Sequence, residues 1–260
     1  MRDISYEILD LMEQYGSQKE GIERILEQGS QPELLMALSP LRSSLVQWID
    51  LDPADKVLQL GSDYGAVTGH LGQQAAEVLV VDERLENLEV NKKRWADLGN
   101  IRYQQGGPED LGECDFDWVF CIGMKKGTIC LSQQIRQAAG LVKPGGHLAL
   151  ALPNSGAMKL WAGGEEDPDE LSVSLDGLKQ ILGQLKGRAD FYYPMPDYKL
   201  PTAIYSDRFL PPKGELPSLF AEYERPRFRV FSEEAAFDAV CGIGGFPSVA
   251  NSFFVIWEKL

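Results

Sequence analysis

Histidine is almost missing from these 260 residues, with only His70 and His147, and the four cysteines (Cys114, Cys121, Cys130, Cys241) form no CxxC pair. A metal centre needs several imidazole, thiolate or carboxylate ligands at short regular spacing, and neither histidine has a second ligand at helical distance; no metal site is expected. The cysteine spacing gives no disulfide framework, and the opening Met-Arg-Asp-Ile-Ser-Tyr has no apolar signal core. Both features predict a cytoplasmic location. Positive charge is scarce as well, 25 Lys and Arg against 39 Asp and Glu for a net charge of −14. That balance repels polyphosphates, and no Lys/Arg-rich block overrides it locally, so nucleic acid is not expected as a partner. Membrane insertion is not expected either.

What the chain does have is 44% hydrophobic residues, enough to bury the core of one large domain or of one domain with an appendage. Residues 3–38 carry apolar side chains at helical intervals (Ile4, Ile8, Leu11, Met12; Ile22, Ile25, Leu26; Leu34, Leu35), broken at Gly16 and Gly29. Two or three short helices are predicted there. Ser17-x-x-Glu20 and Ser30-x-x-Glu33 match capping boxes, and Pro32 suits a first helical turn. Leu41, Leu45, Val46, Trp48 and Ile49 predict a further helix over 41–50. Residues 1–50 therefore read as a helical appendage without a core of its own, and 51–260 as the main domain.

From residue 56 strands and helices alternate. Apolar strands are expected at 56–60, 77–81, 101–105, 116–122 and 146–152, with later strands at 188–193 and 249–258. A helix over 84–98 would place Leu85, Leu88 and Trp95 on one face, and another falls near 175–186. The pattern predicts an α/β, Rossmann-like, doubly wound sheet of seven mostly parallel strands with right-handed crossovers. Ligands in such sheets bind beyond the strand carboxyl ends, where the strand order reverses. The first strand, Lys56-Val57-Leu58-Gln59-Leu60, runs into Gly61-Ser62-Asp63-Tyr64-Gly65 and then a helix. In such a turn glycine brings backbone N–H groups close to a ligand, and the positive end of the helix faces it. Asp63 stands at the middle glycine of the pattern G-x-G-x-G.

Taken in order, several segments resemble the motif series of the class I S-adenosylmethionine-dependent methyltransferases. They are the loop 59–65, Asp82 at the end of the second strand, the turn Gly106-Gly107-Pro108-Glu109-Asp110, Phe116-Asp117 opening the fourth strand, and Lys143-Pro144-Gly145-Gly146. From about residue 35 onward, further tracts are similar to a narrower bacterial group, methyltransferase domains that accompany glycosyltransferases of cell-surface polysaccharide synthesis. These tracts are Leu38-Ser39-Pro40-Leu41-Arg42, Leu160-Trp161-Ala162-Gly163 with Glu166-Asp167, Tyr192 to Pro201, Ile204-Tyr205-Ser206-Asp207 and Asn251-Ser252-Phe253.

The resemblance implies S-adenosylmethionine as cofactor. It would place Gln59, Gly61, Ser62, Asp63 and Gly65 around the methionine portion, Asp82 and Glu83 at the ribose, Gly107, Pro108 and Glu109 at the adenine, and Ile122 and Gly123 as a floor beside the reactive methyl. The chain departs from the family pattern at several of these positions. Gln59 replaces an acid, Asp63 a glycine, and Gly107 an acid or amide whose role Glu109 or Asp110 could take; Met124-Lys125-Lys126 replaces an apolar-acidic stretch. Pro168 follows Glu166-Asp167 where the related sequences carry a histidine. Asp63 could restore the charge lost at 59, or repel the cofactor's carboxylate. Glu166 or Asp167 could serve as the base for a hydroxyl acceptor, or act only as acids at a helix start.

Residues 191–217 combine Pro194, Pro196, Pro201, Pro211, Pro212 and Pro217 with Tyr192, Tyr193, Tyr198 and Tyr205. A stiff extended cover is expected, without regular interior strand or helix, in an insertion spanning about 194–247. Its rings, with Asn154, Trp161, Asp197 and Asp207, either form an acceptor surface or pack the insertion onto the core. Two functions follow. One is methyl transfer to a small molecule or glycan, such as a sugar or sugar-nucleotide hydroxyl in surface-polysaccharide synthesis, with a glycosyltransferase as implied partner. The other is a non-catalytic methyltransferase fold that binds a glycan or a protein.

Overall fold

In the computed structural model, which describes residues 4–29, 31–112, 115–216 and 228–260, the strands are β1 (Lys56–Leu60), β2 (Glu77–Asp82), β3 (Ile101–Gln105), β4 (Phe116–Ile122), β5 (Val142–Pro153), β6 (Gly187–Met195), β7 (Ala203–Ser206) and β8 (Ser252–Lys259). They form one sheet in the order β3-β2-β1-β4-β5-β8-β6-β7. The first five strands pair in parallel, and β8, β6 and β7 are antiparallel. The order reverses between β1 and β4, so the switch point lies at the ends of Leu60 and Ile122.

The helices are α1 (Ile4–Tyr15), α2 (Lys19–Gln28), α3 (Pro32–Leu38), α4 (Thr68–Gln74), α5 (Leu85–Arg94), α6 (Leu131–Gly140), α7 (Met158–Trp161), α8 (Leu175–Leu182), α9 (Glu233–Cys241) and α10 (Phe246–Val249). Alternate strand residues divide between two cores, as the pleat requires. Leu58, Val119, Leu148 and Leu150 pack with α6, α8, α9 and α10; Val57, Val78, Phe120 and Ala149 pack with Leu71 of α4 and Leu88 of α5.

The sheet has eight strands where seven were expected. The additional one, β7, lies inside the proline-rich segment and pairs with the far half of β6. Proline is tolerated there because β6 pairs with β8 only through Gly187–Tyr192. Pro194 falls beyond that stretch, so its missing N–H removes no bond to β8.

The apolar positions of the amino-terminal segment, Ile8, Met12, Ile22, Ile25, Leu34 and Leu38, pack in one cluster with Val90 of α5, flanked by Tyr64. The segment differs from expectation in two respects. The helix expected over 41–50 is a 3-10 turn at Pro40–Leu45, capped by Ser39 accepting from the Leu41 amide. Ser17 does not cap α2, whose N-cap is Gln18. Ser30, Cys114 and Pro217 lie outside the described residues, and Leu85, expected on the buried face of α5, is exposed.

Candidate active site

Beyond β1 the chain holds a run of unusual backbone conformation. Gly61 (φ 86°) and Gly65 (φ 79°) flank Asp63 (φ 43°) and Tyr64 (φ 55°), and a non-glycine residue in the left-handed region costs on the order of 1 kcal/mol. Each of the two costly residues is anchored. The Tyr64 carbonyl accepts from Nη1 of Arg94 at 3.2 Å, and Arg94 also reaches the carbonyls of Ala37 and Leu38 at the end of α3. Burial lowers the Arg94 guanidinium to a pKa of about 10, with Arg42 adding to the effect and Asp63 opposing it. The Asp63 carboxylate pairs with Nη2 of Arg42, while Nη1 of Arg42 donates to the Met36 carbonyl at 2.7 Å.

Under the loop runs a buried polar chain. Thr68 Oγ1 donates to Oε1 of Gln59 at 2.7 Å, and the Gln59 amide nitrogen donates to the carbonyls of Gly61 (2.9 Å) and Ser62 (3.3 Å). The Asn91 amide donates to Ser62 Oγ at 3.0 Å and to Thr68 Oγ1 at 2.8 Å. Gln59 is thus a structural member of the loop, with its amide spent on the loop's own carbonyls.

Asp82, at the end of β2, accepts from the Ser62 amide (2.7 Å), the Arg84 amide (2.8 Å) and, at 3.2 and 3.3 Å to its two oxygens, the Asn87 side chain. A carboxylate offers about four lone-pair sites, and these contacts occupy two on each oxygen, so a ligand hydroxyl would have to displace one of the long Asn87 bonds. Glu83 is exposed, and its carbonyl accepts from Gln105. After β3, Asp110 caps the Gly107 amide at 2.9 Å. The Glu109 carboxylate lies where a Cβ on Gly107 would be, 2.6 Å away. Of these two acids, Asp110 is structural and Glu109 is available.

At the end of β4, Gly123 adopts φ 74°, and a Cβ there would lie 2.9 Å from Tyr198 Oη and 3.6 Å from Glu170 Oε1. Oε1 of Glu170 receives the Tyr198 hydroxyl (3.0 Å), Lys199 Nζ (3.1 Å) and Lys125 Nζ (3.2 Å). Burial, with the Glu170 charge beside it, pushes the Tyr198 phenol well above its ordinary value. Lys199 would be lowered by burial, but Glu170 outweighs that and raises it. Asp63 feels burial first, which raises its carboxyl, then Arg42 and Lys199, which lower it, so the loop and this cluster lie within electrostatic reach of each other.

Glu170 carries no signal in the sequence beyond being one acid among several. It is placed by a bridge pairing Lys125 with Glu170 in antiparallel sense. Glu166 is exposed and accepts from Ser172 Oγ at 2.7 Å. Asp167 meets Lys199 Nζ at 3.6 Å and accepts from the Asp169 amide. Burial would raise the Asp167 carboxyl, but that amide, Lys125 and Lys199 hold it lower.

Most of the remaining acceptor candidates are engaged elsewhere. The Asn154 amide donates to the carbonyls of Ser248 and Ala250, tying the end of β5 to α10 and the residue after it. Asp197 accepts from the Lys199 and Leu200 amides, shaping the turn that carries Tyr198. Asp207 accepts from Tyr193 Oη, and Tyr192 packs at 4.6 Å between ring centroids against Trp48. Trp161 is exposed at 60%. Of the candidate acceptor residues, only Tyr198 meets Gly123.

Residues 58–150 match the family model described as methyltransferase domain. The phosphoethanolamine N-methyltransferase 1 of Haemonchus contortus, solved with phosphoethanolamine and S-adenosylhomocysteine, superposes with TM-score 0.57 at 12% identity, covering 98% of this chain and 50% of that one. The N-methyltransferase NodS of Bradyrhizobium japonicum WM9, in complex with S-adenosylhomocysteine, gives 0.52 at 12% identity over 92% and 96% of the two chains. DhpI, also solved with S-adenosylhomocysteine, gives 0.50 at 13% over 97% and 96%. The fold is that of a class I methyltransferase. This chain spans half the length of the Haemonchus protein, and no curated protein matches it.

In a doubly wound sheet the switch point, here between β1 and β4, is the ligand position. Gly61 has nothing within 4 Å of a built Cβ, Glu109 is exposed, and Asp82 holds its four acceptor sites filled, two of them by the long Asn87 bonds. Acids at these two places are chemically suited to the ribose hydroxyls and adenine amino group of S-adenosylmethionine. An open depression of about 570 Å³ lined by Pro108, Glu109, Gln137 and Leu141 includes neither Gly61, Asp82 nor Gly123. Among the described residues no group of three or more metal-ligating side chains occurs, and no helix is long and apolar enough to cross a membrane. Cys121, Cys130 and Cys241 are free thiols.

Proposed function

We propose that this protein is an S-adenosylmethionine-dependent methyltransferase whose acceptor is a small molecule with a hydroxyl, such as a sugar or sugar nucleotide of cell-surface polysaccharide synthesis. The observation that carries the reading is the meeting of Tyr198 Oη and Glu170 Oε1 over Gly123, within electrostatic reach of loop 61–65. S-adenosylmethionine, when bound, supplies an electrophilic methyl on a sulfonium, which leaves as S-adenosylhomocysteine once the C–S bond breaks. Gly61 allows close approach, Asp82 would take a ribose hydroxyl in exchange for an Asn87 bond, Glu109 would take the adenine amino group, and Ile122 with Gly123 would form the floor. Transfer of this kind asks mostly for alignment. Glu170 would accept the proton lost by an acceptor hydroxyl, with Tyr198 and Lys199 orienting it. In this reading Asp167 steadies Lys199, and Glu166 stands outside the site.

A second reading, a non-catalytic methyltransferase fold that binds a glycan or a protein, is favoured by the closure of the loop upon itself through Gln59 and through the Arg42–Asp63 pair. Calorimetric titration with S-adenosylmethionine and S-adenosylhomocysteine separates the two. Heat saturating with one site per chain supports the first reading; none at millimolar ligand sinks it. A glycosyltransferase partner belongs to the first reading and is tested by co-purification.

A further inference from the structure

The Arg42–Asp63 pair joins the 3-10 turn before β1 to the loop after it, with the guanidinium buried (6% exposed) and the carboxylate partly so (26%). A buried guanidinium requires an anion, and a second carboxylate brought to the same place meets both a filled partner and a like charge. The anion here is supplied by the residue that stands in place of a loop glycine. Its backbone is fixed: the Gly65 amide donates to the Ser62 carbonyl at 2.8 Å and the Ala66 amide to the Asp63 carbonyl at 3.1 Å. Gln59, the other residue at this end of the pocket, directs its amide N–H groups at the carbonyls of Gly61 and Ser62. Both groups that would meet the amino-acid tail of an S-adenosyl ligand are therefore satisfied within the protein by an ion pair and by the loop's own carbonyls, whereas at the nucleoside side Glu109 is exposed and Asp82 has only the long Asn87 bonds to exchange.

Resting on the methyltransferase reading, we propose that Asp63 occupies the place of a ligand carboxylate on Arg42, so that the pocket recognises the nucleoside half of its ligand and discriminates little by the amino-acid tail. The ligand class this favours is a 5′-thioadenosine whose tail contributes little to binding. S-adenosylhomocysteine carries the tail, and 5′-methylthioadenosine is a matching probe without it. Neutralising Asp63 frees Arg42 for the ligand, and a charge-assisted hydrogen bond gained there is worth roughly tenfold or more in affinity.

The test is calorimetric titration of the full chain with both probes. The unaltered protein is expected to bind them within about threefold of each other, and Asp63→Asn to bind S-adenosylhomocysteine roughly tenfold tighter while its affinity for 5′-methylthioadenosine stays the same. Asp63→Gly, which also relieves the left-handed backbone, gives the same gain and serves if the asparagine variant folds poorly. Adding Arg42→Met to either variant should erase the gain. An unaltered protein that already prefers S-adenosylhomocysteine by more than tenfold overturns the inference while leaving the cofactor assignment standing. So does a loss of S-adenosylhomocysteine affinity in Asp63→Asn, the result expected if Asp63 holds the ligand's ammonium. Failure of every protein to bind either probe overturns the proposed function and this inference together.

Discussion

Thr68 and Gln59 share a 2.7 Å hydrogen bond in which the threonine hydroxyl is the donor, so the amide oxygen of residue 59 faces the helix and its nitrogen faces the loop carbonyls. Restoring an acid at this position would therefore turn a carboxylate oxygen toward the carbonyls of Gly61 and Ser62. Gln59→Glu is expected to destabilise the fold by about 1–3 kcal/mol at neutral pH, the cost of a buried unsatisfied acceptor. Urea unfolding reads this. A midpoint equal to or above that of the parent would show that the loop accommodates the charge.

Packing of α4 against Trp95 sets a second limit. A Cβ on Gly69 would lie 2.3 Å from the indole ring, whose Nε1 donates to the Gly65 carbonyl at 2.8 Å. Alanine gains up to about 1 kcal/mol of helix propensity over glycine, but the indole must move and its bond to the loop with it. Gly69→Ala is expected to lose about 1–3 kcal/mol net in denaturant unfolding. A stabilised variant would refute the close approach of α4 to the ring.

Glu170 and Tyr198 should differ in their cost. Glu170→Gln leaves Lys199 and Lys125 facing a neutral group and should cost about 2 kcal/mol, whereas Tyr198→Phe removes one donor from a carboxylate that keeps two others and should cost about 1 kcal/mol. Thermal and urea unfolding of both variants checks the order. A larger loss for Tyr198→Phe would place the weight of the cluster on the hydroxyl instead.

A pH signature is expected at the opposite end of the sheet. Burial alone would raise the Asp117 carboxyl, but Lys143 and the Lys56 amide, which donates at 2.8 Å, hold it below its ordinary value of 3.8. A carboxyl depressed in the folded state stabilises above its unfolded pKa, and the contribution disappears as pH falls through the folded value. The Tm difference between the parent and Asp117→Asn should therefore be constant from pH 7 down to about pH 5 and shrink below the ordinary value of 3.8. A difference independent of pH down to acid unfolding would remove the charge from the account.

How far the fold could be read from the chain depended on whether its signals were local. β1 to β5 are short apolar runs separated by helical periodicity, and each lies close to where the alternation puts it. β7 was hidden because proline density argues against strands, and only the register of β6 shows that Pro194 lies outside the ladder with β8. Glycine spacing marked the loop, but the partner of Asp63 is Arg42, 21 residues back in a 3-10 turn, and no periodicity links them. Glu170 reaches Gly123 only because residues 45 positions apart, Lys125 and Glu170, are bridged. The neighbouring acids Glu166 and Asp167 are indistinguishable from it in composition, and position in space alone separates them.

The place of β8 has a consequence for how the protein comes into being. It follows β6 and β7 in sequence, yet it lies between β5 and β6 in the sheet, pairing with both through residues 252–259. On the ribosome, the five parallel strands can associate while β6 and β7 wait as a detached hairpin with an open edge. The two pieces join only after residue 259 has emerged, and until then β5 and β6 each present an unpaired ladder, the kind of edge that recruits foreign strands. β8 therefore closes both edges in one step, and any intermediate that lacks it is the one most open to foreign pairing.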